Sequence, residues 1–523
     1  MYNFRPLSPL AKYLVDSLEE KNHNPHEERR ITVNPIVTKF ASWYEKLRNA
    51  MEFREDEVIL RATIERVLKR RLLLGGNGKT TAKPLVKELL WARYLPDNDI
   101  GESVVSQIEE VIDLYLQLRL KVIAMHKFPE AEINDWTYDL MSADIQYILN
   151  PKRPKELMAN FMFHVLKDDV AVEDEKDETK NAQVFMAVRK AFARDDLAFL
   201  RYHMFSQYFG RLTPKTLEFT AQHFVQGYEE IKRQMNYVHR DKIYTYVKRR
   251  TAAFFIFDDI LQSKKDNLKS LLENEEELKE AVVEACDVRY KGITDRVRRA
   301  IIRSFIFILI TKLGFAFFVE GTYETLVYGE IHWNSIIINT TVPPMLMVIV
   351  GLFIRAPGQD NSERIFKYIS QLLYENDPVL GNKLMISKAK ADHGFMTAFN
   401  ILWLTGFIIS FGSLILILTN FGFNPVSQFI FLFFLAIVSF LAYRISLLAN
   451  VYRVGEKQGL GTFFVDFLFM PIIRVGRRLT QSIAQVNIFL MLFDFFIEAP
   501  FKFIFAFFDQ WFYYLHTKSE ELE

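Results

Sequence analysis

The chain holds one cysteine, Cys286, in 523 residues. This excludes an internal disulfide and a metal site built from several thiolates. It also lacks a surplus of charge: 65 Lys and Arg stand against 64 Asp and Glu, so no global basic excess points to nucleic acid. The ten histidines form no HExxH and no paired metal spacing. No Ser-His-Asp or Cys-His arrangement can be read from the order of residues. The opening stretch MYNFRPLSPLAKYLVDSLEEKNHN has neither the apolar core of a secretion signal nor the Arg- and Ser-rich bias of a transit peptide. Alternating strand patterns and a fixed-period repeat are both missing from residues 1–300. The sequence therefore predicts no cofactor and no enzyme, although an apolar site acting on lipid would leave weak traces.

Apolar length is what the chain does have. Four long runs, Ile301–Val319, Ile331–Ile354, Phe395–Thr419 and Val426–Val451, approach or exceed the roughly 20 residues a helix needs to cross a bilayer. Charge thins over the same part of the chain, and many of the 48 phenylalanines gather there. The expected fold class is all-α: a two-lobed cytosolic helical domain followed by a polytopic helical membrane domain of four to five spans. The expected divisions are a first lobe at 1–166, an acidic linker or loop at 167–182, a second lobe at 183–298 and a membrane domain at 299–523.

Lysine and arginine predict the topology. Arg289, Lys291, Arg296, Arg298 and Arg299 abut the first run, a position suited to anionic headgroups. The loop 320–330 has no Lys or Arg. The next loop has Arg355, Arg364, Lys367, Lys383, Lys388 and Lys390, and 420–425 is uncharged. Arg453, Lys457, Arg474, Arg477 and Arg478 follow the fourth run. The alternation fits the positive-inside rule, with the N-terminal domain cytoplasmic. A multi-pass protein of a bacterial inner membrane is the favoured location.

Two later segments are ambiguous. Val486–Leu515 is apolar except for a narrow stripe of Asn487, Asp494, Glu498, Lys502 and Asp509, with Pro500 as a kink and Trp511, Tyr513 and Tyr514 as an aromatic belt. It reads either as a fifth span or as a helix in the interface. Thr462–Ile473, with Asp466 and Pro471, is too short to span and reads as re-entrant or interfacial.

Residues 1–300 carry helical periodicity at Glu57–Leu74, at Ser103–Met125, in a helix opened by Thr213-Pro214 and running to about Val238, and at Asp266–Tyr290. Gly75-Gly76-Asn77-Gly78-Lys79-Thr80-Thr81 has a phosphate-loop look. Yet Leu73 stands where the pattern wants glycine and a basic helix precedes it, so a glycine cap and turn fits better. Lys69-Arg70-Arg71 and Lys248-Arg249-Arg250 read as solvated helix faces, with anionic lipid or an acidic partner as the lesser reading. Asp168-Asp169 and Asp258-Asp259 are neighbours that do not face each other on a helix.

The intramembrane polar residues are the more informative set. Lys312 falls near the middle of the first span, where an unpaired cation costs about 3 kcal/mol or more. Arg303 can snorkel, and Glu320 is expected to close the span. Asn400, Arg444, Asp466, Asp494, Glu498 and Lys502 complete the candidates. Lys312 is expected to pair with one of the acids, as a structural bridge or as part of an ion or proton path. Glu498 and Lys502 are expected to pair with each other. His332, Asn334, Asn339, Thr340 and Thr341 add polarity to the second span, and Pro343-Pro344 should break or bend it. Two functions follow as expectations. One is a membrane-anchored adaptor or scaffold that binds a cytosolic protein partner. The other is an oligomeric channel or transporter with a charged path through the bundle.

Overall fold

The computed structural model describes residues 5–19, 31, 33–52, 56–73, 75–150, 155–173, 175–264, 268–329, 333–376, 378, 381–387, 393–455 and 460–485, with scattered positions from 504 to 515. The chain is about 82% helical and carries four candidate membrane-spanning helices after a helical N-terminal region. The segment 486–515, with Asp494, Glu498 and Lys502, lies outside the described residues apart from those scattered positions.

Two compact units divide the chain. The N-terminal unit takes Pro9–Lys248 and Asn376–Ile386; the membrane unit takes Arg249–Glu375 and Ser387–Asn487. The two units part between Lys248 and Arg249, earlier in the chain than the start expected for the membrane domain at 299. Lys167–Ala182 is no linker where it is described: it holds a single 3-10 turn, a strand and the start of a helix.

The helices of the N-terminal unit are α1 (Pro9–Glu19), α2 (Pro35–Glu52), α3 (Asp56–Leu73), α4 (Gly78–Trp91), α5 (Glu102–His126), α6 (Glu130–Leu149), α7 (Glu156–Leu166), α8 (Asp177–Val188), α9 (Leu197–Phe209), α10 (Leu217–Met235) and α11 (Arg240–Lys248). Helical spacing explains the packing: Ile108, Ile112, Tyr115 and Val122 form the buried stripe of α5. The stripe joins a core with α4, α6 and α10. Trp136 on α6 meets Phe224 and Tyr228 of α10 with ring centroids 6.2 and 4.9 Å apart. Such aromatic pairs add about 1 kcal/mol each beyond buried area. Helix α10 starts at Leu217 rather than at Pro214, because Thr213 and Thr216 bond each other in a preceding turn.

Strands are almost absent. Among the described residues β1 (Val170–Val172) and β2 (Leu384–Ile386) pair in parallel, with Val170 opposite Leu384. The second strand comes from the segment between the second and third spans.

The membrane unit contains α12 (Thr251–Ser263), α13 (Leu268–Glu273), α14 (Glu275–Phe315), α15 (Thr322–Tyr328), α16 (Trp333–Phe353), α17 (Gln359–Tyr374), α18 (His393–Asn420), α19 (Pro425–Ala449) and α20 (Leu460–Gln485). The helix expected at Asp266–Tyr290 is interrupted at Asn274, which caps α14 by accepting from the amides of Glu276 and Glu277. Helix α14 then runs into the first span without a break. A π-turn at Ala316–Gly321 joins it to α15, making one helical rod from Glu275 to Tyr328. Glu320 therefore lies within a continuing helix rather than at its end. The other three helices long and apolar enough to cross a membrane lie at Ile336–Phe353, Thr397–Asn420 and Pro425–Ala449.

Helix α19 is the centre of this bundle. Half of its apolar window is buried, against 17% for the first and third spans. It packs on α14, α16 and α20. Helix α20 approaches α19 tightly at Gly476, where a Cβ would lie 1.9 Å from the carbonyl oxygen of Ala436. Thr462–Ile473 is thus not a separate short piece but the first half of a 26-residue helix that continues through Pro471. Pro343 and Pro344 do not break α16 either: the helix runs through both. What they remove is two amide donors, those that would serve the carbonyls of Asn339 and Thr340.

Candidate functional site

The π-turn in the first span builds the main polar cluster. Lys312 and Glu320 are eight residues apart, which on a regular α-helix leaves their side chains roughly 80° apart. One extra residue in the turn brings the spacing back to that of seven, about 20° off a single stripe. The ammonium Nζ of Lys312 then lies 3.2 Å from Oε1 of Glu320, and both side chains are 0% exposed.

Two further spans complete the shell. Lys312 Nζ donates to Oδ1 of Asn339 on α16 at 2.5 Å. Asn339 Nδ2 donates to the carbonyl of Ser427 on α19 at 3.2 Å. The ring of Phe434, also on α19, sits 4.6 Å from the ammonium. One turn beyond Glu320, Glu324 accepts from Nδ2 of Asn424 at 2.8 Å, and Asn424 Oδ1 accepts from the Ser427 amide to cap α19. The cluster ties α14, α15, α16 and α19 at one end of the bundle. Its satisfaction is incomplete: Glu320 Oε2, Thr340 Oγ1 and Ser427 Oγ are buried with no hydrogen-bond partner. Such oxygens are seats for water or a ligand.

The other expected members lie apart. Asn400 on α18 and Arg444 on α19 are exposed. Asp466 lies on α20, with its side chain outside the described residues. Of the headgroup candidates, Arg289 is paired with Asp259 and stacks on Tyr452, so protein already occupies it. Lys291, Arg296, Arg298 and Arg299 are exposed. Arg474, Arg477 and Arg478 form a second exposed basic face on α20, with Arg474 over the ring of Trp403 at 5.2 Å.

Beside the spans, Asn361 of α17 ties the bundle together. It donates to Tyr290 OH and to the Tyr452 carbonyl, both at 2.7 Å, and accepts from the Val454 amide at 2.8 Å. Cys286 is buried near this point, and burial pushes its thiol up from the usual range. That is the opposite of an activated nucleophile.

The N-terminal unit settles several sequence motifs. The glycine segment is a cap: Gly75 has φ +82°, and Asn77 caps α4 in a reciprocal box with Thr80. The Gly78 amide donates to Asp113 at 2.7 Å, so a carboxylate of the chain already holds the anion position at this helix start. Lys69 is paired with Glu65, and Arg70 and Arg71 share Glu88, so each cation of that basic run has a carboxylate partner.

A dense polar group in this unit surrounds Arg189. Its guanidinium meets Asp195 and Glu156 at 2.7 Å each. His203 Nε2 lies 3.2 Å from Asp195 and 3.2 Å from Tyr147 OH. Burial holds the His203 imidazole below its ordinary pKa. The members of this group pair chiefly with one another. Among the described residues no group of three His, Cys, Asp or Glu could hold a metal ion.

Asn339, Glu324, Asn424 and Ser427 escape a reading by residue type, apart from Asn339 as added polarity. Their signal was an amide or carboxylate in an otherwise apolar run, and the partner of each is set by bundle packing. Comparison with protein families, curated proteins and solved structures finds no match for this chain.

Proposed function

We propose that the chain is a membrane-anchored adaptor whose helical N-terminal unit docks a protein partner at the cytoplasmic face. The observation that carries this reading is an aromatic pair on α2. Val37, Ala41 and Tyr44 turn inward, while Phe40 and Trp43, each 63% exposed, share the outer face. Large exposed aromatics on a water-soluble helix are the usual anchors of a protein interface. The paired charge clusters around Arg189, Glu88 and Arg61, the last meeting Asp196 at 2.6 Å and Glu65 at 2.7 Å, support a binding role over a reactive one.

The positive-inside alternation supports the cytoplasmic side for this unit and a bacterial inner membrane as its setting. Lys291, Arg296, Arg298 and Arg299 would then face anionic headgroups, each worth about 1 kcal/mol near the surface. Nucleic acid is not part of this reading. The test is affinity capture with the full-length protein in detergent. Wild type should retain a stoichiometric partner, and Phe40→Ala with Trp43→Ala should lose it while helicity and membrane insertion persist. Equal capture by both forms sinks the proposal.

A second reading, an oligomeric channel or transporter, has one observation in its favour: the unpartnered Glu320 Oε2 beside Lys312 in the bundle. Ion or solute flux in proteoliposomes that Lys312→Met abolishes without loss of folding would favour it over the adaptor.

A further inference from the structure

An open groove of about 550 Å³ runs between α14–α15 and α16, next to the Lys312 cluster. Its size is that of a small-molecule site. Leu313, Phe317, Leu326, Trp333 and Ile337 give it apolar walls, and no charged residue lines it among the described residues. Two of its hydroxyls are spent on their own helices: Thr325 donates to the Gly321 carbonyl and Thr341 to that of Ile337. Thr340 differs. Its side chain is 8% exposed and its Oγ1 has no partner. Pro344, moreover, has no N–H to offer the Thr340 carbonyl. Beside Thr322, Thr325 and Thr341, the lining thus holds one residue whose buried hydroxyl has no partner and whose carbonyl has lost its helical donor.

We propose that this groove binds a neutral long-chain lipid with a hydroxyl head, of the fatty-alcohol or diacylglycerol kind. The walls belong to membrane-spanning helices, so the occupant arrives from the lipid phase. The apolar lining takes the chain, and Thr340 takes the head through one donated and one accepted hydrogen bond. A carboxylate or phosphate head would find no cation on the wall, since the Lys312 ammonium is held by Glu320 and Asn339. The inference is independent of the adaptor reading, and either can fail alone.

The test uses full-length protein in phosphatidylcholine nanodiscs and a long-chain alcohol bearing a photoreactive diazirine. The matching fatty acid and lysophospholipid probes serve as comparators. Labelling of α14–α16 by the alcohol should saturate and yield to unlabelled alcohol. Thr340→Val should weaken it about fivefold, the size of one lost hydrogen bond. Ile337→Trp should fill the groove and reduce labelling at least tenfold, on the order of a lost apolar anchor. Should that variant lose its helicity or monodispersity, Leu326→Trp, at a rim position 80% exposed, applies the same block. Non-saturating labelling, equal labelling by all three probes, or wild-type labelling of a folded groove-filled variant would mean ordinary boundary lipid and overturn the site.

Discussion

Arg189 in the N-terminal unit and Lys312 in the membrane unit are both sealed from solvent, at 1% and 0% exposure. Arg189 has two carboxylates, Asp195 and Glu156, with the Tyr147 hydroxyl and His203 close by. Lys312 has Glu320 as its carboxylate, then an amide oxygen and an aromatic face. The first cluster is assembled by a helix, its π-turn at Arg189–Ala193 and neighbouring helices that carry spare polar groups. The second draws on spans that are nearly all apolar, and it also needs a π-turn to bring cation and anion onto one stripe. Both clusters use a π-turn, but in the span it brings together the cation and its one carboxylate, whereas Arg189 draws its two carboxylates from neighbouring segments as well.

Breaking each cluster measures the difference. Lys312→Met leaves Glu320 buried without its cation and should cost about 3–5 kcal/mol. The readout is the yield of monodisperse protein from membranes, and Glu320→Gln in the same chain should recover most of the loss. No recovery would deny that the two act as a pair. Arg189→Met should cost about 3 kcal/mol, nearer the lower end because Glu156 is 29% exposed and can take water. Thermal unfolding of the N-terminal unit within the intact chain checks it.

Packing gives a smaller effect. Gly476→Val drives a side chain into the Ala436 carbonyl and should cost about 1–3 kcal/mol by forcing α20 off α19. Protease accessibility of α20 should rise with it. The smallest effect is a slope. His203 has its pKa lowered by burial, so the folded state holds the neutral ring and the unfolded state takes the proton first. Its contribution is present above the unfolded pKa of about 6.5 and is lost as pH falls below it. Melting temperature should therefore drop on acidification from about pH 7 towards 5, and His203→Gln should drop less. An unchanged slope would exclude His203 as its source.

Period and length made the spans legible, because a helix in lipid must be long and apolar whatever its neighbours. Lys312 stood out for the same reason. Its partner did not, since choosing Glu320 over the other acids requires knowing that the helix gains a residue at Ala316–Gly321. Composition does not encode that turn: Phe317, Phe318 and Val319 look like any lipid-facing stretch. Pro343-Pro344 misled in the other direction, because helices packed in a membrane tolerate a missing donor where water would exploit it. The glycine segment was readable as a cap, but Asp113, which occupies its anion position, lies 35 residues away. Asn361 was missed as a tie because its partners sit at Tyr290, Tyr452 and Val454, far off in the chain.

The parallel pairing of Val170 with Leu384 sets an order of assembly. A ribosome makes the first strand long before the second, and both α14 and α16 emerge in between. The N-terminal unit must therefore wait, with one ladder of backbone groups unfilled, until the second span has been handed to the insertion machinery. Its last stitch comes from a segment translated after most of its own helices have formed. Translation arrested just before Leu384 should leave a nascent unit that is more readily trapped by chaperones than one arrested shortly after Ile386.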